Sequence, residues 1–122
     1  LHFGGRWPKN THKGEEYFYP AVLNGFRIYT MEWTPEKMIW RVDGIPFAER
    51  RRTEWWSSGS KALGAPFDQP FYFIINLAIG GKLAEGRGST GVATEGYPKR
   101  FEIDWVRVWQ KPADVITTSP ER

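Results

Sequence analysis

Asn76 brings an amide, with donors and an acceptor, into a run in which every other residue from position 71 to 79 is apolar or aromatic. Left unpaired inside an apolar layer, that amide would cost on the order of 1 to 3 kcal/mol. Something must therefore satisfy it, either a hydrogen bond to a neighbouring loop or the hydroxyls of a ligand. His2, directly before Phe3-Gly4-Gly5, carries an imidazole that can both donate and accept a hydrogen bond, or can simply sit at a frayed chain end. Trp7, in a loop bounded by glycine and proline, can offer its indole face to the C–H face of a flat ligand such as a sugar, or fold back on the core. Trp55 and Trp56 are adjacent, so on extended backbone only one can point inward, into core or cleft. Glu102 and Asp104 alternate in a strand-like run, a spacing that sends both carboxylates to one face. Glu15, Glu16, Glu32, Glu36, Asp43, Glu49, Glu54 and Asp68 have turn or surface roles open to them.

The elements that must position these groups are bounded by composition. The 122 residues suffice for one domain with one core. Seven Trp, eight Phe and five Tyr suit an all-β core, and leave some aromatic rings to line a groove. The net charge of +3 is spread except at Arg50-Arg51-Arg52, which reads as a solvated loop edge, so no basic stripe exists to track nucleic acid. Cysteine is absent, which removes disulfides and thiolate metal sites but does not fix the compartment. No signal peptide and no apolar run of about 18 residues occurs, and neither nucleic acid nor membrane is expected as a partner.

Along the chain, residues 1–5 read as the end of a strand entering a turn, and residues 6–19 as a polar loop. Residues 26–33 read as a strand followed by a Thr34-Pro35 turn. Residues 38–42 and 45–47 flank Asp43-Gly44, the strongest short-range hairpin signal, and Pro46 marks the second arm as an edge. Residues 49–65 read as a loop with at most a turn of helix. Residues 66–81 read as the central strand, covered on both faces, opened by prolines and closed by Gly80-Gly81. A glycine-rich loop over 82–99 leads to an alternating strand at 101–109, and the polar, proline-bearing residues 111–122 read as a tail or linker. The sum is an all-β antiparallel β-sandwich or jelly roll.

Taken together, several segments resemble the C-terminal half of glycoside hydrolase family 16, in its laminarinase-like (endo-β-1,3-glucanase) branch. They are Leu1-His2-Phe3-Gly4-Gly5 with Trp7-Pro8, Tyr29-Thr30-Met31-Glu32-Trp33-Thr34-Pro35-Glu36, and Trp40-Arg41-Val42-Asp43-Gly44. Further on come Ala65-Pro66-Phe67-Asp68-Gln69-Pro70-Phe71-Tyr72, Ile75-Asn76-Leu77-Ala78-Ile79-Gly80-Gly81 and Ile103-Asp104-Trp105-Val106-Arg107-Val108-Trp109. Their order and spacing cover residues 1 to about 110 and make the match specific.

The resemblance implies a concanavalin-like jelly roll, with residues 1–110 as the C-terminal half of the domain and a glucan cleft across the concave sheet. It implies retaining hydrolysis by a nucleophile and an acid/base carboxylate on one strand, in a Glu-x-Asp-x-x-Glu pattern whose geometry suits carboxyls about 5 to 5.5 Å apart. This sequence lacks that pattern, which the family places upstream of Leu1. Glu102-Ile103-Asp104 begins like it but has Arg107 where the second Glu belongs, and its neighbours align with the family's final strand. No catalytic residue is therefore assigned within the chain. The resemblance implies His2 and Asn76 as substrate-binding residues and Asp104 as a ligand of a structural calcium on the convex side; Trp7 and Trp55 join the substrate-binding candidates on their residue chemistry alone. No cofactor is implied for catalysis. The implied partners are a β-1,3- or mixed-linkage glucan and the N-terminal half of the domain, as a second chain or an upstream segment. The implied setting is extracellular. A non-catalytic β-1,3-glucan recognition protein and a cell-wall transglycosylase share the same segments and stand as alternatives.

Overall fold

The computed structural model describes residues 1–20, 25–86, 88 and 91–112, and the chain divides into two units, Leu1–Phe73 and Ile74–Arg122. The first unit begins with a hairpin of β1 (His2–Gly4) and β2 (Asn10–His12), in which His2 faces His12, Phe3 faces Thr11 and Gly4 faces Asn10. The expected loop over 6–19 thus contains a short strand. It forms because the turn is tight: the Lys9 N–H donates to the Arg6 carbonyl at 2.7 Å, and a Cβ on Gly5 would lie 2.7 Å from the Lys9 carbonyl oxygen. Leu1 and Lys13 extend the ladder, each donating its backbone nitrogen's hydrogen to the other's carbonyl at 2.9 Å.

The expected Asp-Gly hairpin forms the heart of a three-stranded antiparallel sheet, in which β3 (Tyr29–Trp33) and β5 (Ile45–Arg51) flank β4 (Lys37–Val42). Asp43 (φ 49°) and Gly44 (φ 81°) both take left-handed backbone, as a two-residue turn matched to strand twist requires. Asp43 is held there by its side chain, whose Oδ1 accepts the Ile28 N–H at 3.0 Å. At the other end Thr34 closes the turn between β3 and β4: its N–H donates to the Lys37 carbonyl at 2.9 Å, and its Oγ1 accepts the Lys37 N–H at 3.1 Å. Pro46 lies on the outer strand, where a missing N–H costs no ladder bond. The register shifts between Trp40, which faces Ala48, and Arg41, which faces Pro46, so Phe47 is the extra residue of a bulge.

The core of this unit is Phe3, Met38 and Trp55, with Leu1, Trp40 and Phe67 packed against it. Trp55 meets Phe67 edge to face at 5.5 Å between centroids. A 3-10 turn at Arg52–Glu54 is all the helix that residues 49–65 contain. The basic triplet departs from the reading of a solvated loop edge. Because β5 continues to Arg51, the Arg50 side chain is directed inward and is only 12% exposed. Its guanidinium donates to the Gly14 carbonyl at 2.9 Å and to Glu15 Oε1 at 2.8 Å, pinning the chain that follows β2.

In the second unit a single helical turn, α1 (Lys82–Glu85), follows Gly80 and Gly81, whose φ values of 67° and 87° turn the chain. Residues 71–79 and 101–109 take part in no strand ladder, and all of them are exposed. This departs from the expected doubly covered central strand and the expected alternating strand. A side-chain pattern records which faces are to be covered, but a strand also needs neighbours for its backbone, and the described residues supply none to these runs. Of the expected tail, residues 113–122 lie outside the described residues. The ladders that form are antiparallel, and the fold class is all-β.

Candidate functional site

The site is built on the end of β1, and glycine makes it possible. Gly4 (φ 97°) is locked by hydrogen bonds on both sides: its N–H donates to the Trp56 carbonyl at 3.0 Å, and its carbonyl accepts the Ser58 N–H at 3.1 Å. A Cβ there would lie 3.2 Å from the Trp56 ring, so only a bare backbone lets the indole lie this close. Phe3, between His2 and Gly4, alternates into the core and anchors the strand. What remains on the outer side is an open depression of about 340 Å³, lined by His2, Phe3, Gly4, Gly5, Trp7, Asn10 and Pro66.

Two of the residues selected by sequence, His2 and Trp7, are thus brought together. Trp7 is 81% exposed, with its indole free to meet a ligand. His2 stacks on His12 with ring centroids 5.2 Å apart and planes 27° from parallel. The adjacent tryptophans divide as alternation requires. Trp55 is buried behind the depression, its Nε1–H donating to the Gly64 carbonyl at 3.1 Å, and Trp56 is 52% exposed. Imidazole, indole, the Asn10 amide and backbone polar groups suit a ligand that presents hydroxyls on its edge and C–H groups on its face. Among the described residues no carboxylate lines the depression.

Asn76 and Asp104 belong to the second unit, where both are exposed. Among the described residues no group of three or more His, Cys, Asp or Glu comes together. Asp104 alone falls short of the six to eight oxygens that calcium takes, and no step is assigned to a metal. Sequence reasoning passed over His12 and Asn10, and named the Trp55-Trp56 pair without saying which ring would stay exposed. The turn signals Gly5 and Pro8 between two histidines could have indicated a hairpin that pairs them.

Behind the hairpin, Glu54 fastens the end of β2 to the 3-10 turn. Its carboxyl is held below the ordinary carboxylate range, first by the Arg51 backbone N–H, donated at 2.7 Å, and then by the Lys13 ammonium at 3.0 Å.

Residues 5–107 match the model of glycosyl hydrolases family 16. The chain is 36% identical over 115 residues to glucan endo-1,3-beta-glucosidase A1 of Niallia circulans, an alignment that takes in 91% of this chain and 16% of that protein. It is 35% identical over 103 residues to a beta-glucanase of Rhodothermus marinus, covering 82% of this chain and 34% of the relative. It is also 27% identical over 149 residues to a beta-1,3-glucan-binding protein of Penaeus monodon, covering 96% and 38% respectively. The chain therefore spans well under half the length of each of these relatives. No solved structure matches it.

Proposed function

Since this chain belongs to glycosyl hydrolases family 16, we propose that it is the C-terminal part of a secreted, jelly-roll endo-β-1,3-glucanase that cleaves β-glucan with retention of configuration. The observation that carries the reading is the family match over residues 5–107, and the placement of His2 and Trp7 on one open depression supplies a surface for sugar. In this reading His2 and Asn10 bond sugar hydroxyls, Trp7 stacks on a glucose ring, and Trp55 holds the strand behind them. Asn76 meets sugar from the strand that residues 71–79 complete once the rest of the domain pairs with it. The catalytic carboxylates stand on a segment upstream of Leu1. The exposed apolar side chains of residues 71–79 and 101–109 support that division, because soluble proteins rarely leave so much apolar surface uncovered. So does the modest share of each relative that the chain spans.

A second reading, a glucan-recognition protein without catalysis, is favoured by the similarity to the Penaeus monodon protein. The depression serves either reading, so it is tested by binding. In the protein that carries this chain, Trp7→Ala should retard less in a laminarin-containing native gel than wild type, while melting at the same temperature. Unchanged retardation would remove Trp7 and the depression from the site.

A further inference from the structure

The sequence contains two histidines, and the fold sets them face to face. We propose that His2 and His12 form a two-imidazole site for a divalent transition ion, with Cu²⁺ held most tightly. Leu1 and Lys13 exchange both of their backbone hydrogen bonds, which makes them a hydrogen-bonded pair of the antiparallel ladder. The next pair inward, His2 and His12, is therefore of the non-hydrogen-bonded kind, the one that brings side chains closest. Their rings already stack at 5.2 Å, and both residues are exposed, so an ion can arrive with its remaining waters. Sharing one ion at metal–nitrogen distances of about 2.0 to 2.1 Å needs ring nitrogens roughly 3 Å apart. Rotation of two surface imidazoles reaches that spacing while the backbone stays in place.

The local charges permit it. Lys13, the cation adjoining His12, alternates to the other face of β2 and is engaged by Glu54 at 3.0 Å. The donor type selects the ion: imidazole suits copper, nickel and zinc, and affinity rises to copper along the divalent series. A pair with no carboxylate offers little to Ca²⁺ or Mg²⁺. The site does not depend on the glucan reading.

The test is titration of the protein carrying this chain with CuCl₂ in a non-coordinating buffer, followed by electron paramagnetic resonance and by thermal melting. Wild type should bind one more tight Cu²⁺ than His12→Asn, with nitrogen hyperfine structure from two imidazoles, and copper should raise its melting temperature. His2→Asn and His12→Asn should each weaken that ion's binding by about tenfold or more, since each removes one of two tethered ligands. Their metal-free melting temperatures should match wild type, because both side chains are exposed. Copper stoichiometry and spectrum unchanged by His12→Asn, or loss confined to one variant, would overturn the proposal.

Discussion

Gly4→Ala probes the construction of the site at its tightest point. At φ 97° an alanine occupies backbone that L side chains rarely adopt, which costs about 1 to 3 kcal/mol. Its Cβ would also come 3.2 Å from two carbons of the Trp56 ring, a few tenths of an ångström inside ordinary contact. Trp56 is half exposed and can retreat, so this contact adds less than the backbone does. Gly44→Ala provides the reference. Gly44 has φ 81° and nothing within 4 Å of its would-be Cβ, so it carries backbone strain alone. Urea unfolding of wild type and both variants should show Gly4→Ala as the more destabilising. In a Trp56→Ala background the excess of Gly4→Ala over Gly44→Ala should shrink. A Gly4→Ala variant within about 0.5 kcal/mol of wild type, the range of an ordinary surface change, would refute the geometry on which the depression rests.

The remaining predictions concern the core, the acid limb and the second unit. Trp55→Ala should destabilise by about 3 to 5 kcal/mol, as large-to-small changes of buried aromatics do, and calorimetric melting would measure it. Because the carboxyl of Glu54 is lowered by folding, the stability it contributes is present above the ordinary carboxylate range. That contribution is lost as pH falls through its lowered folded value. Glu54→Gln should therefore be less stable than wild type near neutrality and lose less stability on acidification, read from denaturation midpoints across pH. Asn76→Ala should weaken laminarin turnover or binding by about tenfold with the fold intact, the worth of one hydrogen bond; loss of folding would give Asn76 a structural task instead.

Local chemistry was legible in the sequence. Asp43-Gly44 announced its hairpin, Thr34-Pro35 its turn and Pro46 its edge strand, because each is decided by residues within a few positions. The doublet Trp55-Trp56 announced that one ring would turn inward but not which, since that depends on Phe3 and Met38, distant in sequence. Arg50 was misread for a similar reason: its burial is set by Gly14 and Glu15 folding across it. Residues 71–79 and 101–109 show the limit most clearly. Their patterns ask for covered strands, yet pairing is a property of two segments, and the described residues hold only one side. His2 and Trp7 were recognisable as candidates, whereas their shared depression came from the Gly4-Gly5 turn and from Pro66, which only the fold brings near.

Action on laminarin tests the account most directly. Proton NMR should follow laminarin treated with the purified protein that carries this chain. The proposed glucanase releases oligosaccharides whose new reducing ends appear first as the β-anomer, as retention through a covalent intermediate requires. First appearance of the α-anomer would contradict retention, and the absence of both cleavage and binding would contradict the assignment of this chain to a glucan-active protein.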